Sequence, residues 1–292
     1  RVRSSAASDV YKRQAEDWGG DEADQDGEVT LNIPEKHFFP WSPDSPFLYD
    51  LTVGTTQGDE DGFDTVHSYF ALRKWSCEPD AKGILRFCLN GKPILLNGLL
   101  DQGYWPEGLY TPPSDAAVVH ELEQVKELGF NLLRKHAKIE PQRWYYHCDK
   151  LGLIVWQDMV NGGGKMNQWY VTYLTNALLP LLRHTPDAKP LWGLLGRETE
   201  ASRESYQTEL KATVEALRCH PCIGCWVPFN EGWGQFDAKQ ITRLVRKLDP
   251  TRLIDHASGW HDQGVSDVRS LHVYFKPVSY THLRAHETLR HL

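Results

Sequence analysis

The sequence predicts an α/β chain in which a largely parallel sheet is covered by helices. Two observations predict it: strand-like and helix-like segments alternate up to about residue 276, and the strand-like runs are almost continuously apolar. An open doubly wound sheet and a (β/α)8 barrel both satisfy this pattern. A third observation is that neither G-x-G-x-x-G nor G-x-x-x-x-G-K-[ST] follows a strand, which weakens a nucleotide-binding sheet.

The first part of the chain has the pattern of an antiparallel β-sandwich. Apolar and polar residues alternate with period two in three short segments, residues 29–33, 47–53 and 64–70. Only three or four such strands fit before Lys74, so we expect an incomplete sandwich. A hairpin follows, with arms at residues 84–87 and 94–96 joined through an Asn90-Gly91 turn.

The alternating part of the chain supplies the helices and strands of the predicted sheet. The first helix has Ser114 or Asp115 as its N-cap, an apolar face, and Gly129 at its end. Further helices are expected near residues 142–150, 203–217 and 237–248. Strands are expected at residues 131–134, 153–156, 223–227, 253–255 and 271–274.

The composition excludes several classes of protein. The 292 residues are 40% hydrophobic and 24% charged, include 11 Trp, and carry a formal net charge of −7. This apolar content is too high for a disordered chain. The acidic balance argues against nucleic acid or an anionic membrane as a partner, since both need clustered Lys and Arg. No apolar run approaches the roughly 20 residues of a membrane-spanning helix.

The two ends of the chain differ from its middle. Residues 9–14 (DVYKRQ) and 277–292 lack helical and strand periodicity, and both are similar to peptides translated from sequencing-adapter DNA. We therefore expect non-native segments at 1–14 and 277–292, a partial sandwich at 15–75 and a partial α/β domain at 76–276. The native part is expected to come from a longer protein, and neither its localisation nor its oligomeric state follows from the sequence.

Three of the six cysteines form a C-x-x-C-x-x-C run at Cys219, Cys222 and Cys225. This spacing is compatible with a zinc or iron–sulfur site. The run lacks the C-x-x-x-C-P ending of ferredoxin-type clusters. Cys222 and Cys225 also flank an apolar run that is typical of a buried strand, where cysteine acts as a small hydrophobic residue. We therefore predict no metal and no cofactor.

Polar side chains stand where the predicted strands end. In a barrel the catalytic groups lie at the carboxyl ends of the strands, so this pattern predicts an active-site edge. The residues at these positions are Asp101, Gln102, Arg134, His136, Gln157, Asp158, Asn230, Glu231, Asp255, His256, His272 and Tyr274.

Glu231 carries the most information in this set. It leaves an apolar strand among Trp226, Phe229 and Trp233, and burial raises the pKa of a carboxyl group, as general acid catalysis requires. The preceding Asn230 offers a neutral donor and acceptor suited to a sugar hydroxyl. Aromatic faces on which a sugar ring can rest are offered by Trp105, Trp156, Trp233 and Trp260.

Residues 220–235 (HPCIGCWVPFNEGWGQ) resemble the H-P-x-I-x-x-W-x-x-x-N-E segment of glycoside hydrolase family 2, which contains β-galactosidases, β-glucuronidases and β-mannosidases. The resemblance extends over most of residues 29–276. The other matching segments are residues 41–49 and 68–74 for an immunoglobulin-like domain, and 89–98, 129–134 and 148–153 for a barrel. The resemblance implies an incomplete (β/α)8 TIM barrel of about six strands, preceded by part of an immunoglobulin-like β-sandwich.

This similarity implies a retaining exo-β-glycosidase, β-galactosidase-like, with Glu231 as acid/base and a β-glycoside as substrate. Asn230 would bind the sugar 2-hydroxyl, Arg134 would lie beneath the sugar, and Asp158 would line the pocket. The other expected substrate-binding residues are His136, Asp101, Trp156, Trp233, His272 and Tyr274. The chain departs from the family where Asp101-Gln102 replaces an R-H-E run, and where the histidine after Arg134 comes one position early. Galactose specificity and a metal site are therefore not implied.

A retaining mechanism needs a second carboxylate about 5–5.5 Å from the first. In the family this is a glutamate on the seventh strand, and the chain becomes adapter-like after the sixth. We therefore predict that this chain lacks the nucleophile and hydrolyses nothing at a useful rate. One alternative is a non-catalytic carbohydrate-binding barrel remnant. Another is a hydrolase that uses Ser258 with His256 or His261 and Asp255, although no G-x-S-x-G elbow surrounds this serine.

Overall fold

The computed structural model describes residues 2–3, 28–29, 31–56, 63–175, 178, 182 and 184–272. The chain divides between Arg73 and Lys74 into two compact units. Most of the predicted segment 1–14, all of 277–292, and Tyr274 lie outside the described residues.

The first unit contains two pairs of antiparallel strands. The pairs are β1 (Val2–Arg3) with β2 (Glu28–Val29), and β3 (Tyr49–Thr56) with β4 (Phe63–Phe70). Of the predicted strand at 29–33, Val29 lies in β2, Leu31 forms a β-bridge, Thr30 lies outside the described residues, and residues 32–33 are not in a strand. Pro34 then leads into a 3-10 helix at Glu35–His37. The Tyr49 hydroxyl donates to the carbonyl oxygen of His37 at 2.6 Å. Membership of an immunoglobulin-like sandwich stays a prediction.

The second unit begins with a three-stranded antiparallel sheet. Its strands are β5 (Trp75–Pro79), β6 (Leu85–Leu89) and β7 (Lys92–Pro93). Asn90 and Gly91 form the predicted turn with φ of 55° and 75°, and a tight two-residue hairpin needs positive φ at both positions. The second arm begins at Lys92, earlier than the predicted 94–96, and the Ile94 N–H still donates to the Phe87 carbonyl oxygen at 2.9 Å.

A five-stranded parallel sheet follows. Its strands are β8 (Gly98–Asp101), β9 (Leu132–Lys135), β10 (Ile154–Asp158), β11 (Ile223–Val227) and β12 (Leu253–Ile254). Neighbours in the sheet are neighbours in the chain, with no reversal of order as in a doubly wound sheet. These are therefore successive strands of an incomplete TIM barrel. Of the predicted sixth strand, residues 271–272 are not paired in a strand and residues 273–274 lie outside the described part.

Helices connect the strands and cover the sheet. They are α1 (Asp115–Glu127), α2 (Gln142–Leu151), α3 (Lys189–Trp192), α4 (Glu200–Leu217) and α5 (Ala238–Leu248), with a π-helix at Trp169–Leu174. The hydroxyl of Ser114 accepts from the Ala117 N–H and so caps α1, as predicted. Helix α4 begins earlier than predicted because Thr199 caps it by accepting from the Ser202 N–H. None of the described helices combines the length and apolarity that crossing a membrane would need.

Candidate functional site

The strand register divides the carboxyl edge of the sheet into two sets of side chains. Paired residues of parallel strands point to the same face, and neighbours along a strand point to opposite faces. Arg134 pairs with Trp156, and Asp158 stands two residues further along β10, so these three share one face. Lys135 pairs with Gln157 on the other face. The predicted polar residues are therefore split between two environments.

Arg134 is at the centre of the first environment. Its Nε and Nη2 donate to the two carboxylate oxygens of Asp158 at 2.9 and 3.1 Å. Nη2 also donates to Oδ1 of Asn230 at 2.8 Å, and Nη1 lies 3.3 Å from Nε2 of His272. We call the joined residues the arginine cluster: Arg134, His136, Asp158, Asn230, Glu231 and His272.

Asn230 and Glu231 follow β11 and are both buried, with 3% and 6% of their surface exposed. The amide nitrogen of Asn230 lies 3.1 Å from Nε2 of His136. The ring of half-buried Trp233 meets His136 edge-on, with 6.3 Å between the ring centroids. Amide, imidazole and indole groups therefore adjoin Arg134 in one place.

Two later segments of the chain hold Glu231, one through its main chain and one through its carboxyl group. Its backbone φ is +53°, a left-handed conformation that non-glycine residues adopt rarely and that concentrates at functional sites. The Glu231 N–H donates to the carbonyl oxygen of Ser258 at 3.3 Å. Its Oε1 lies 2.7 Å from Nδ1 of His272.

Burial and ion pairing oppose each other in this cluster. Burial raises the pKa of Asp158, and the Arg134 guanidinium opposes that rise. Burial alone would lower the pKa of Arg134, but the Asp158 carboxylate outweighs it and raises that pKa. The two-point geometry requires both charges, so the two residues form a buried ion pair. Burial also raises the pKa of Asp255, which accepts from the Ser270 hydroxyl.

Asp101 lies in the second environment, away from the arginine cluster. Its Oδ2 accepts from Nζ of Lys135 at 2.6 Å, and its Oδ1 accepts from the Gly103 N–H at 2.7 Å. Lys135 also donates to Glu140 at 2.9 Å. The structure therefore does not bring Asp101 to Arg134, and its contact with a substrate stays a prediction.

Trp156 shares the face of Arg134 and is half-buried. Its ring meets Phe87 of β6 edge-on, with 6.0 Å between the centroids. A contact of Trp156 with a sugar therefore stays a prediction. Tyr274, the remaining predicted substrate-binding residue, lies outside the described residues.

Sequence reasoning missed the partner of Ser258. Its hydroxyl lies 3.1 Å from Nε2 of His272, not beside His256 or His261 as the serine-hydrolase alternative expects. His256 instead contacts the hydroxyl of Ser266. The presence of His272 among the strand-end residues was the available signal, but spacing along the chain does not tell which histidine faces this serine.

The three closely spaced cysteines lie in different surroundings. Cys222 and Cys225 are buried, whereas Cys219 is exposed. Burial raises the pKa of both buried thiols well above its usual value. Within the described residues, no group of three or more His, Cys, Asp and Glu side chains could hold a metal ion.

Comparison with known proteins places this site in an enzyme family. The family described as Glycosyl hydrolases family 2, TIM barrel domain, matches residues 83–291. The chain therefore belongs to glycoside hydrolase family 2. It is 26% identical over 247 residues to a β-galactosidase of Leuconostoc mesenteroides, aligning 83% of this chain with 20% of that protein. It is 25% identical over 228 residues to a β-galactosidase of Vibrio cholerae, aligning 78% with 19%.

Solved structures support the partial barrel. A β-D-glucuronidase from Dictyoglomus thermophilum matches 79% of this chain and 35% of its own, with a TM-score of 0.58 and 17% identity. Bacteroides uniformis β-glucuronidase 3 matches 74% of this chain and 24% of its own, with a TM-score of 0.53 and 22% identity. The chain spans about a fifth of the length of the curated relatives it matches.

Proposed function

We propose that this chain is the part of a retaining exo-β-glycosidase that carries the acid/base, Glu231, and the sugar-binding residues around it. The observation that carries the proposal is the buried Asn230-Glu231 pair, joined to Arg134 and His272 at the carboxyl edge of a parallel sheet. A terminal β-galactoside is the first candidate substrate, since the two β-galactosidases above align with most of the chain.

In this mechanism Glu231 first donates a proton to the glycosidic oxygen while the bond from that oxygen to C1 breaks. A second carboxylate forms an ester with C1. Glu231, now ionised, then takes a proton from the water that attacks C1, the bond from C1 to the ester oxygen breaks, and the sugar leaves with its configuration retained. The contact with His272 holds the carboxyl group of Glu231 in place for both transfers, and the Ser258 carbonyl holds the Glu231 main chain.

The residues around Glu231 suit a neutral sugar. Recognition of hydroxyl groups requires fixed donors and acceptors beside an apolar surface. Asn230, Arg134 and His136 supply the polar groups in this proposal, and Asp158 holds Arg134 in position. The half-buried ring of Trp233 supplies the apolar surface.

We also propose that the nucleophile is not among the described carboxylates. Both carboxylate oxygens of Asp158 accept hydrogen bonds from Arg134. Asp255 accepts from the Ser270 hydroxyl and from the Ser258 N–H. The chain would then bind a sugar without hydrolysing its glycosides. A small external anion could replace the missing carboxylate, because the proton donor would still be present.

The test is to incubate the chain with an aryl β-galactoside, with and without sodium azide. We expect no hydrolysis in buffer and an α-galactosyl azide with azide, which Glu231→Gln should abolish. Hydrolysis in buffer would refute the missing nucleophile. Sugar binding with no azide product would support the carbohydrate-binding remnant, and covalent labelling of Ser258 by a phosphonate would support the serine hydrolase.

A further inference from the structure

His272 connects Glu231 to the buried ion pair. Its Nδ1 lies 2.7 Å from Oε1 of Glu231. Its Nε2 lies 3.3 Å from Nη1 of Arg134 and 3.1 Å from the hydroxyl of Ser258. Both ring nitrogens thus contact polar groups in a largely buried place, since the His272 side chain is 19% exposed and that of Glu231 is 8% exposed.

The partners determine which nitrogen of His272 carries the proton. A guanidinium group has donors and no acceptor, so Nε2 must accept from Arg134. A neutral imidazole with an accepting Nε2 carries its proton on Nδ1. That proton points at Oε1 of Glu231. This oxygen can accept the hydrogen bond whether the carboxyl group is ionised or protonated on its other oxygen.

We infer that His272 is a positioning residue that donates its Nδ1 proton to Oε1 of Glu231, so that the transferable proton of the carboxyl group is carried on Oε2. The catalytic meaning of this inference rests on the proposed function, whereas the hydrogen bond does not. The donor favours the ionised form of Glu231, which is the form that acts as a base on water.

The backbone around residue 259 provides a close-fitting seat for the imidazole ring. Gly259 has a φ of +100°, and a Cβ atom there would lie 2.8 Å from Cγ of His272. The ring therefore packs directly against the main chain beside Ser258.

Charged and titratable groups from several elements surround His272. Arg134 on β9 lies beside Nε2, where its guanidinium group can only donate. Asp158 on β10 is neutralised by Arg134, and Asp255 after β12 is buried and bound to Ser270. His136 after β9 faces Asn230 rather than this ring.

Among the described residues, His261 is a further titratable group near Glu231. It lies under Gly232, where a Cβ atom would come within 2.6 Å of the His261 ring. Burial lowers the pKa of His261 to about 4. His261 is therefore uncharged near neutral pH, and it takes up its proton over the same range in which a carboxyl group of ordinary pKa titrates.

The test is an NMR titration of the chain with isotope-labelled Glu and His, in which Glu231→Gln assigns the Glu231 signal. His272→Leu removes the donor, and His272→Asn keeps an N–H donor near the position of Nδ1. We expect His272→Leu to raise the pKa of Glu231 by about one unit or more, and His272→Asn to leave it within about 0.3 units. The nitrogen shifts of the unmutated chain should report a proton on Nδ1 of His272, a measurement that needs no variant to fold.

Three outcomes would overturn the inference: a proton on Nε2, an unchanged pKa of Glu231 in His272→Leu, or equal shifts in the Leu and Asn variants. The azide reaction separates this inference from the proposed function. Failure of that reaction with the expected NMR result removes the catalytic role and leaves the hydrogen bond. An azide product with the contrary NMR result removes only the role of His272.

Discussion

Arg134→Met would leave the carboxylate of Asp158 buried without its cation. The Asp158 side chain is 0% exposed and that of Arg134 is 15% exposed. Removing one partner of a buried, hydrogen-bonded ion pair costs about 3–5 kcal/mol. Because the same guanidinium also donates to Asn230, we expect a loss near the upper end, about 4–5 kcal/mol of unfolding free energy.

The assay is urea unfolding followed by tryptophan fluorescence, with Arg246→Met as the matched control. Arg246 donates through Nη2 to both oxygens of Asp267 at 2.9 Å, but these side chains are 43% and 26% exposed. An exposed pair contributes about 1 kcal/mol or less. Equal losses in the two variants would refute the reasoning, because burial is the main difference between the two ion pairs.

The same variant should respond to pH in a defined direction. Burial already raises the pKa of Asp158, and loss of the Arg134 cation removes the main opposing influence. A carboxyl group whose pKa is higher in the folded state loses stability as the pH rises through that pKa. Arg134→Met should therefore be less destabilising at about pH 5 than at about pH 7.5, and adding Asp158→Asn should recover part of the loss at the higher pH.

Three further outcomes concern other buried charges. Lys135→Met removes one cation from Glu140, and the unfolding free energy should fall by about 3 kcal/mol in the same urea titration. Burial alone would lower the pKa of His220, but its hydrogen bond with Asp149 raises that pKa to about 9. This pair therefore stabilises the fold fully below about pH 6.5. The stabilisation is lost as the pH rises through about 9. Asp149→Asn should remove that dependence from a series of thermal melts. Burial lowers the pKa of His261 to about 4, so melting temperatures should fall as the pH drops from about 6.5 to about 4, and His261→Gln should flatten that slope.

Much of the fold could be predicted because the signals were local. The cap at Ser114 and the turn at Asn90-Gly91 involve residues a few positions apart, and both are present. The strand at residues 223–227 was bounded correctly because a short, fully apolar run suits a strand buried on both faces. The π-helix at Trp169–Leu174 gave no comparable signal, and it lies in the long connection between β10 and β11.

The sequence predicted several residues of the candidate site, but not which of them contact one another. Arg134, Asn230 and Glu231 were expected together and are joined in the structure, directly or through His272. Asp101 was expected with them but faces Lys135, because it pairs with that residue across β8 and β9. A shift of one position along a strand turns a side chain to the other face of the sheet. The sequence predicted where each strand ends only to within about one residue, so it could not decide the face.

Local sequence therefore determined the strand and helix pattern, the family resemblance and the candidate acid/base, since each depends on neighbouring residues or on a short motif. Tertiary packing decided which face each strand-end side chain occupies and which groups meet. Residues 134, 231 and 272 are far apart in the chain, and they come together because the strand register and the loops after β11 and β12 fix where their side chains point. Pairings of this kind depend on distances across the sheet, which no spacing along the sequence encodes.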